Sequence, residues 1–151
     1  MVTLSLAEFA DRINQILPQV IKNFTKNYNK GFLKVEITPP QLVILDVLQQ
    51  AGEIKMTDLA RFLKVTTAAA TGLVERLVKS GYAFRVYDPK DRRIIRIKIT
   101  SKGSYILKKI NQQRRQMIMD VFGKLSELDR QQYLNILTRI QEILIREEAT
   151  K

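Results

Sequence analysis

Between Arg76 and Lys98 the chain carries eight basic residues: Arg76, Lys79, Arg85, Lys90, Arg92, Arg93, Arg96 and Lys98. Only Asp88 and Asp91 oppose them, so this stretch holds +6 of the +11 formal charge of all 151 residues. A solvated surface has no need for such clustering, whereas a polyanionic partner does. The chemistry on offer is charge-assisted hydrogen bonding to phosphate oxygens, together with insertion of an arginine into a minor groove.

Residues for bond-making chemistry are missing. The chain has neither Cys nor His, which excludes disulfides, thiolate metal sites and cysteine redox sensing, and removes the commonest general base and zinc ligand. Asp88 and Asp91 are the nearest thing to paired carboxylates, and turn chemistry explains them better. There is no nucleophile–base pair and no phosphate-binding glycine loop. No enzyme, metal or cofactor is expected.

The elements that position these cations follow from local patterns. Asp88-Pro-Lys-Asp91 builds a turn between two β-branched or aromatic runs, Tyr82–Tyr87 and Ile94–Thr100, which predict a hairpin. Arg92 and Arg93 leave the turn in extended geometry with side chains on opposite faces. One of them then enters a minor groove, while the other reaches a phosphate or stays with an acid such as Asp91. Upstream, Thr67 to Ser80 reads as a helix stopped by Gly81. Its inner face is Ala69, Ala70, Leu73, Val74, Leu77 and Val78; its outer face is Thr67, Ala68, Thr71, Gly72, Glu75, Arg76 and Lys79. The outer N-terminal half is small and weakly polar, so it fits deep in a major groove and offers hydroxyls to base edges or phosphate and methyls to thymine. A shorter helix, Met56 to Leu63, capped by Thr57, precedes it across a Lys64-Val65 turn. Two short helices, a turn and a basic hairpin make a winged helix-turn-helix.

The flanking segments are helical too. Ser5 and Glu8 fit a capping box, and Leu6, Phe9, Ile13, Ile16, Leu17, Val20, Ile21, Phe24 and Tyr28 follow at spacings of three and four. Pro18 predicts a kink or a break, and Asn29-Lys-Gly31 closes the helix. Thr38-Pro-Pro-Gln41 starts another that ends at Gly52. Two long helices, about 101–124 and 126–148, finish the chain. The apolar stripes of the first and last helices exceed what a small winged-helix core can cover. They fit either packing of the two ends within one chain or a homodimer in which both ends interlock with a partner's, and the dimer is the preferred reading.

The expected fold is mainly α with a small β-wing. Residues 1–35 form an N-terminal dimerisation helix, 36–100 a winged helix-turn-helix, and 101–151 C-terminal dimerisation helices, all one connected unit. The first residues carry acids early in an amphipathic pattern, unlike a secretory signal, and no apolar run reaches the roughly 18 residues of a membrane span. A cytoplasmic protein is expected.

Leu59-Ala60, the segment VTTAAATGLVERLVKSGY, the wing DPKDRR and the run ITSKG resemble the MarR family of winged-helix transcriptional regulators. The resemblance extends over nearly the whole chain, with wing and ITSKG its most discriminating parts. It implies a homodimer held by the first and last helices, with the helix from Thr67 in a major groove and the wing in the adjacent minor groove. On this chain the major-groove positions are then Thr66, Thr67, Ala68, Ala69 and Thr71, although the face assignment argues against Ala69. Arg92 and Arg93 are the minor-groove positions, with Lys90 beside them. Arg76 falls at the helix–wing junction, facing Asp91 or a phosphate. Gly72 departs from the family, whose members often carry a longer side chain there, so the target of a relative does not transfer.

The resemblance also implies repression relieved by a small aromatic or phenolic effector. Such a ligand would occupy a cavity lined by Phe24, Tyr28, Tyr105 and Met117, with Lys22 or Arg114 receiving a carboxylate; the plainer alternative makes these ordinary core or surface residues. Lack of Cys and His rules out thiol-based peroxide sensing and a histidine-rich metal site. The expectation is a dimeric, sequence-specific regulator of double-stranded DNA, acting as a repressor on a pseudo-palindromic operator. Its main rival is a basic architectural DNA-binding protein with little sequence preference. An amphipathic membrane-surface helix fits less well, because the cations gather on a hairpin rather than along one helical face.

Overall fold

The computed structural model describes residues 4–30 and 37–150. Among these lie six helices and a three-stranded antiparallel sheet, a mainly α fold with a β-wing. The chain divides into two compact units, residues 31–112 and residues 1–30 with 113–151.

In the first unit, α2 (Pro39–Ala51) begins where Gln41 Oε1 accepts from Thr38 N at 2.9 Å, and ends at Gly52, whose φ of 73° favours glycine. The chain then enters β1 (Glu53–Lys55), a strand not anticipated from sequence because three residues are too few to reveal alternation. It passes directly into α3 (Met56–Phe62), so extended Lys55, and not Thr57, occupies the N-cap; Thr57 is exposed inside the first turn. Lys64, with φ 54°, turns the chain into α4 (Thr67–Lys79). A Schellman closure ends α4: Gly81 N donates to Val78 O, and Tyr82 N to Leu77 O. The hairpin of β2 (Ala83–Tyr87) and β3 (Ile95–Ile99) follows, with β3 central in the order β1-β3-β2. Ile97 lies opposite both Ile54 and Arg85, and its side chain is fully buried with Ile44, Leu45, Leu48, Leu59, Val74 and Leu77. This shared core joins α4 to the hairpin. The start of α5 (Ser101–Phe122) adds Ile106, Leu107 and Ile110 to it.

In the second unit, Ser5 N donates to Glu8 and Glu8 N to Ser5 Oγ at the entrance of α1 (Leu6–Lys30). Of the kink or break expected at Pro18, the break does not occur: one helix runs through it. Asn14, whose carbonyl loses its partner to the proline, is exposed, so water can substitute. Gly31 lies outside the described residues. The end of α5 turns into α6 (Glu127–Ala149) at a corner closed by side-chain bonds. Ser126 Oγ accepts from Asp129 N, Arg130 Nη1 donates to Leu125 O at 2.7 Å, and the Phe122 ring lies 5.2 Å from Tyr133 and 6.4 Å from Phe24. Nothing on α6 is buried in this chain, and Leu134, Ile136, Ile140, Ile143 and Leu144 are all exposed. No described helix is long and apolar enough to cross a membrane.

Candidate nucleic-acid interface

The exposed face of α4 is wider than its sequence suggests. Only Ala70, Val74 and Leu77 are buried, an i, i+4, i+7 line, with Thr71, Leu73 and Val78 half-buried at its margins. Ala69, assigned above to the inner face, is exposed along with Thr66, Thr67, Ala68 and Gly72. The reason is position: in the first turn the core reaches only the line through Ala70. Two hydroxyls on this surface are already committed. Thr66 Oγ1 caps the helix by accepting from Ala69 N at 3.2 Å, and Thr71 Oγ1 donates back to Thr67 O at 2.7 Å. Thr71 can therefore only accept a further bond.

The wing tip is built by two aspartates. Asp88 Oδ1 accepts from Lys90 N at 2.9 Å and Asp91 N at 3.4 Å, while Asp91 Oδ1 accepts from Arg93 N at 2.9 Å. Asp91 O also accepts from Ile94 N, and Ile94 O from Asp88 N. These bonds keep Arg92 and Arg93 inside the turn, and the ladder resumes only at Ile95, so the extended geometry expected for the arginines is not observed. Their side chains are exposed, as is that of Lys90. The backbone bond from Lys90 holds the Asp88 carboxyl below its ordinary value.

Not all eight cations of the basic stretch are free. On the solvent face of the sheet, Lys98 Nζ lies 3.0 Å from Glu53, and Arg96 bridges Glu53 at 3.3 Å and Asp88 at 3.7 Å. The Lys98 hydrogen bond holds the Glu53 carboxyl below its ordinary value. Arg96 and Lys98 thus brace the root of the wing. Glu53 was missed because β1 was missed; in the register of β1 on β3 it stands directly opposite Lys98, while Lys55 stands opposite Arg96. What remains is Arg76 and Lys79 on α4 and Lys90, Arg92 and Arg93 on the wing, all exposed and without an ion pair among the described residues. Arg76 makes no pair with Asp91. Arg85 is half-buried on the core side of β2, and its Nε has no hydrogen-bond partner.

The residues considered for an effector are divided between the units. Tyr105, exposed beneath Lys109 Nζ at 5.6 Å, belongs to the winged-helix unit. Lys22, Phe24, Arg114 and Met117 belong to the other, where Lys22 and Arg114 are exposed and Phe24 packs on Phe122. The side chain of Tyr28 lies outside the described residues.

A sequence profile of the MarR family matches residues 37–95, from the cap of α2 to the start of β3. The uncharacterized HTH-type transcriptional regulator YsmB of Bacillus subtilis is 31% identical over 91 residues, which is 60% of this chain and 62% of YsmB. The match thus spans less than two thirds of that relative. Among solved structures, YusO from Bacillus subtilis superposes with a TM-score of 0.78 at 22% identity, over 91% of this chain and 98% of YusO. A mutant MarR from E. coli complexed with operator DNA superposes with a TM-score of 0.66 at 21% identity, over 90% of this chain and 98% of that one. Both share its winged-helix fold.

Proposed function

From the premise that this chain carries a MarR-family winged-helix domain, we propose that it is a transcriptional regulator that binds duplex DNA sequence-specifically, as a homodimer acting in repression. The observation that carries this reading is the pairing of a small-side-chain face on α4 with a stiff wing whose free cations sit at its tip. α4 lies in the major groove, where Thr66, Thr67, Ala68 and Thr71 meet base edges or phosphate. Arg92 or Arg93 enters the neighbouring minor groove, and Arg76 and Lys90 neutralise phosphates. Two symmetry-related copies of α4 meet half-sites roughly one helical turn, about 10 base pairs, apart, so the preferred operator is a pseudo-palindrome.

Exposure of every residue on α6 supports the homodimer, because a helix so rich in isoleucine and leucine does not stay wet. Release by a small aromatic acid extends the same reading, and operator affinity measured with and without such acids tests it. The central test is selection of bound sequences from a random duplex library, followed by specific and non-specific affinities at one salt concentration. A two-fold symmetric motif with a large affinity ratio is expected. A ratio near one hands the chain to the architectural alternative.

A further inference from the structure

The ITSKG run that closes the wing makes contacts that the DNA-binding reading does not use. Three consecutive carbonyls at the exit of α4 all accept from the entrance of α5. Ser80 O accepts from Lys102 Nζ at 2.8 Å, Gly81 O from Thr100 Oγ1 at 2.7 Å, and Tyr82 O from Thr100 N at 3.0 Å. The Thr100 hydroxyl serves both helices at once, since it also accepts from Gly103 N at 2.9 Å, the third residue of α5. A hydroxyl has one proton to give, and here it goes to the α4 side while a lone pair caps α5. Lys102 Nζ lies 5.0 Å from the centre of the Tyr82 ring and brings a positive charge to the negative end of the α4 dipole. Gly103 completes the junction, because a Cβ there would run into Tyr82 O.

We infer that Thr100, supported by Lys102, is a positioning residue for DNA recognition: its hydroxyl pins the exit of α4 to the start of α5 and thereby sets the angle at which α4 meets the duplex. This rests on the DNA-binding reading above. A helix held only by its buried line at Ala70, Val74 and Leu77 can still rock about that line. The pin at its far end removes that freedom. Specific affinity depends on the angle, whereas non-specific affinity depends on charges that the pin does not touch.

Thr100→Val keeps the shape and removes both hydrogen bonds, while Thr100→Ser keeps them. In the full-length protein, the valine variant is expected to lower specific affinity by up to about ten-fold, the equivalent of roughly one hydrogen bond, with non-specific affinity and salt slope unchanged. Amide exchange in the last turn of α4 and at Gly103 should quicken, with α2 as an internal control, and serine should restore both properties. Lys102→Met, which spares the cap of α5 but removes a charge, carries the test where the valine variant does not fold; it is read by amide exchange alone, which should quicken in the last turn of α4 by less than in the valine variant. Parent-like exchange and affinity ratio in the variants would overturn the inference, as would serine behaving like valine, or specific and non-specific binding falling together with helicity. The exchange readout needs no DNA. A parent protein with an affinity ratio near one would therefore sink the functional reading, and the role in recognition with it, while leaving the pin itself measured.

Discussion

At the scale of single residues, hydroxyl commitment separates the two threonines that otherwise look equivalent on α4. Thr71 spends its proton on Thr67 O, whereas Thr67 has an exposed side chain and no such bond. Thr67→Ala is therefore expected to change base preference at one symmetric pair of positions, by about 1 kcal/mol, with the salt slope intact. Thr71→Ala should do less; selecting targets for both variants at identical salt ranks them. Arg92→Ala and Arg93→Ala remove charge instead, and each should reduce the salt slope by roughly one where it meets a phosphate. Whichever of the two enters the minor groove should also lose preference for narrow, A·T-rich flanks. A double variant binding as tightly as its parent would remove the wing from the interface. That Thr67 stands on the outer face of α4 and both arginines at the wing tip was legible in the sequence, because residue type and spacing set those placements. Which hydroxyl was already spent was not legible, since an i to i−4 back-bond depends on rotamer and leaves no pattern.

Among the elements, the wing is held at both ends. Its tip is closed by Asp88 and Asp91, and its root by Glu53 with Arg96 and Lys98. Both Glu53 and Asp88 are held below their ordinary values of 4.5 and 3.8. Their contribution is therefore complete above those values and lost as pH falls through the lower folded ones. With no histidine in the chain, specific DNA affinity should be flat from about pH 6 to pH 8 and decay only in acid below the usual carboxylate range, where Asp88 no longer closes the wing tip. A step near neutrality in a binding titration would contradict this. Glu53→Gln should leave the melting temperature almost unchanged, because exposed pairs contribute little, yet raise non-specific affinity by freeing Arg96 and Lys98. Gly103→Ala should cost about 1–3 kcal/mol by overpacking against Tyr82 O, measured by thermal unfolding. The hairpin was readable from its turn residues and alternation. The third strand was not, because a three-residue edge becomes a strand only when its partner arrives.

For the whole molecule, the stripes on the terminal segments predicted long amphipathic helices, and α1, α5 and α6 have the expected extents to within a few residues. Their partner was never in the sequence of one chain, since a stripe reports that something covers it without saying what. Removal of residues 126–151 should turn a dimer into a monomer or an aggregate in sedimentation equilibrium, and Ile140→Glu with Leu144→Glu should do so without shortening the chain. A truncated protein that remains a well-folded dimer would refute the homodimer. The bareness of α6 also bears on gene dosage. If operator capture awaits pairing of two copies, occupancy at low expression follows the square of the monomer concentration, and halving the dose lowers it by roughly four-fold by mass action. A cell could then switch such a regulator on or off through modest changes in its synthesis, with no effector at all.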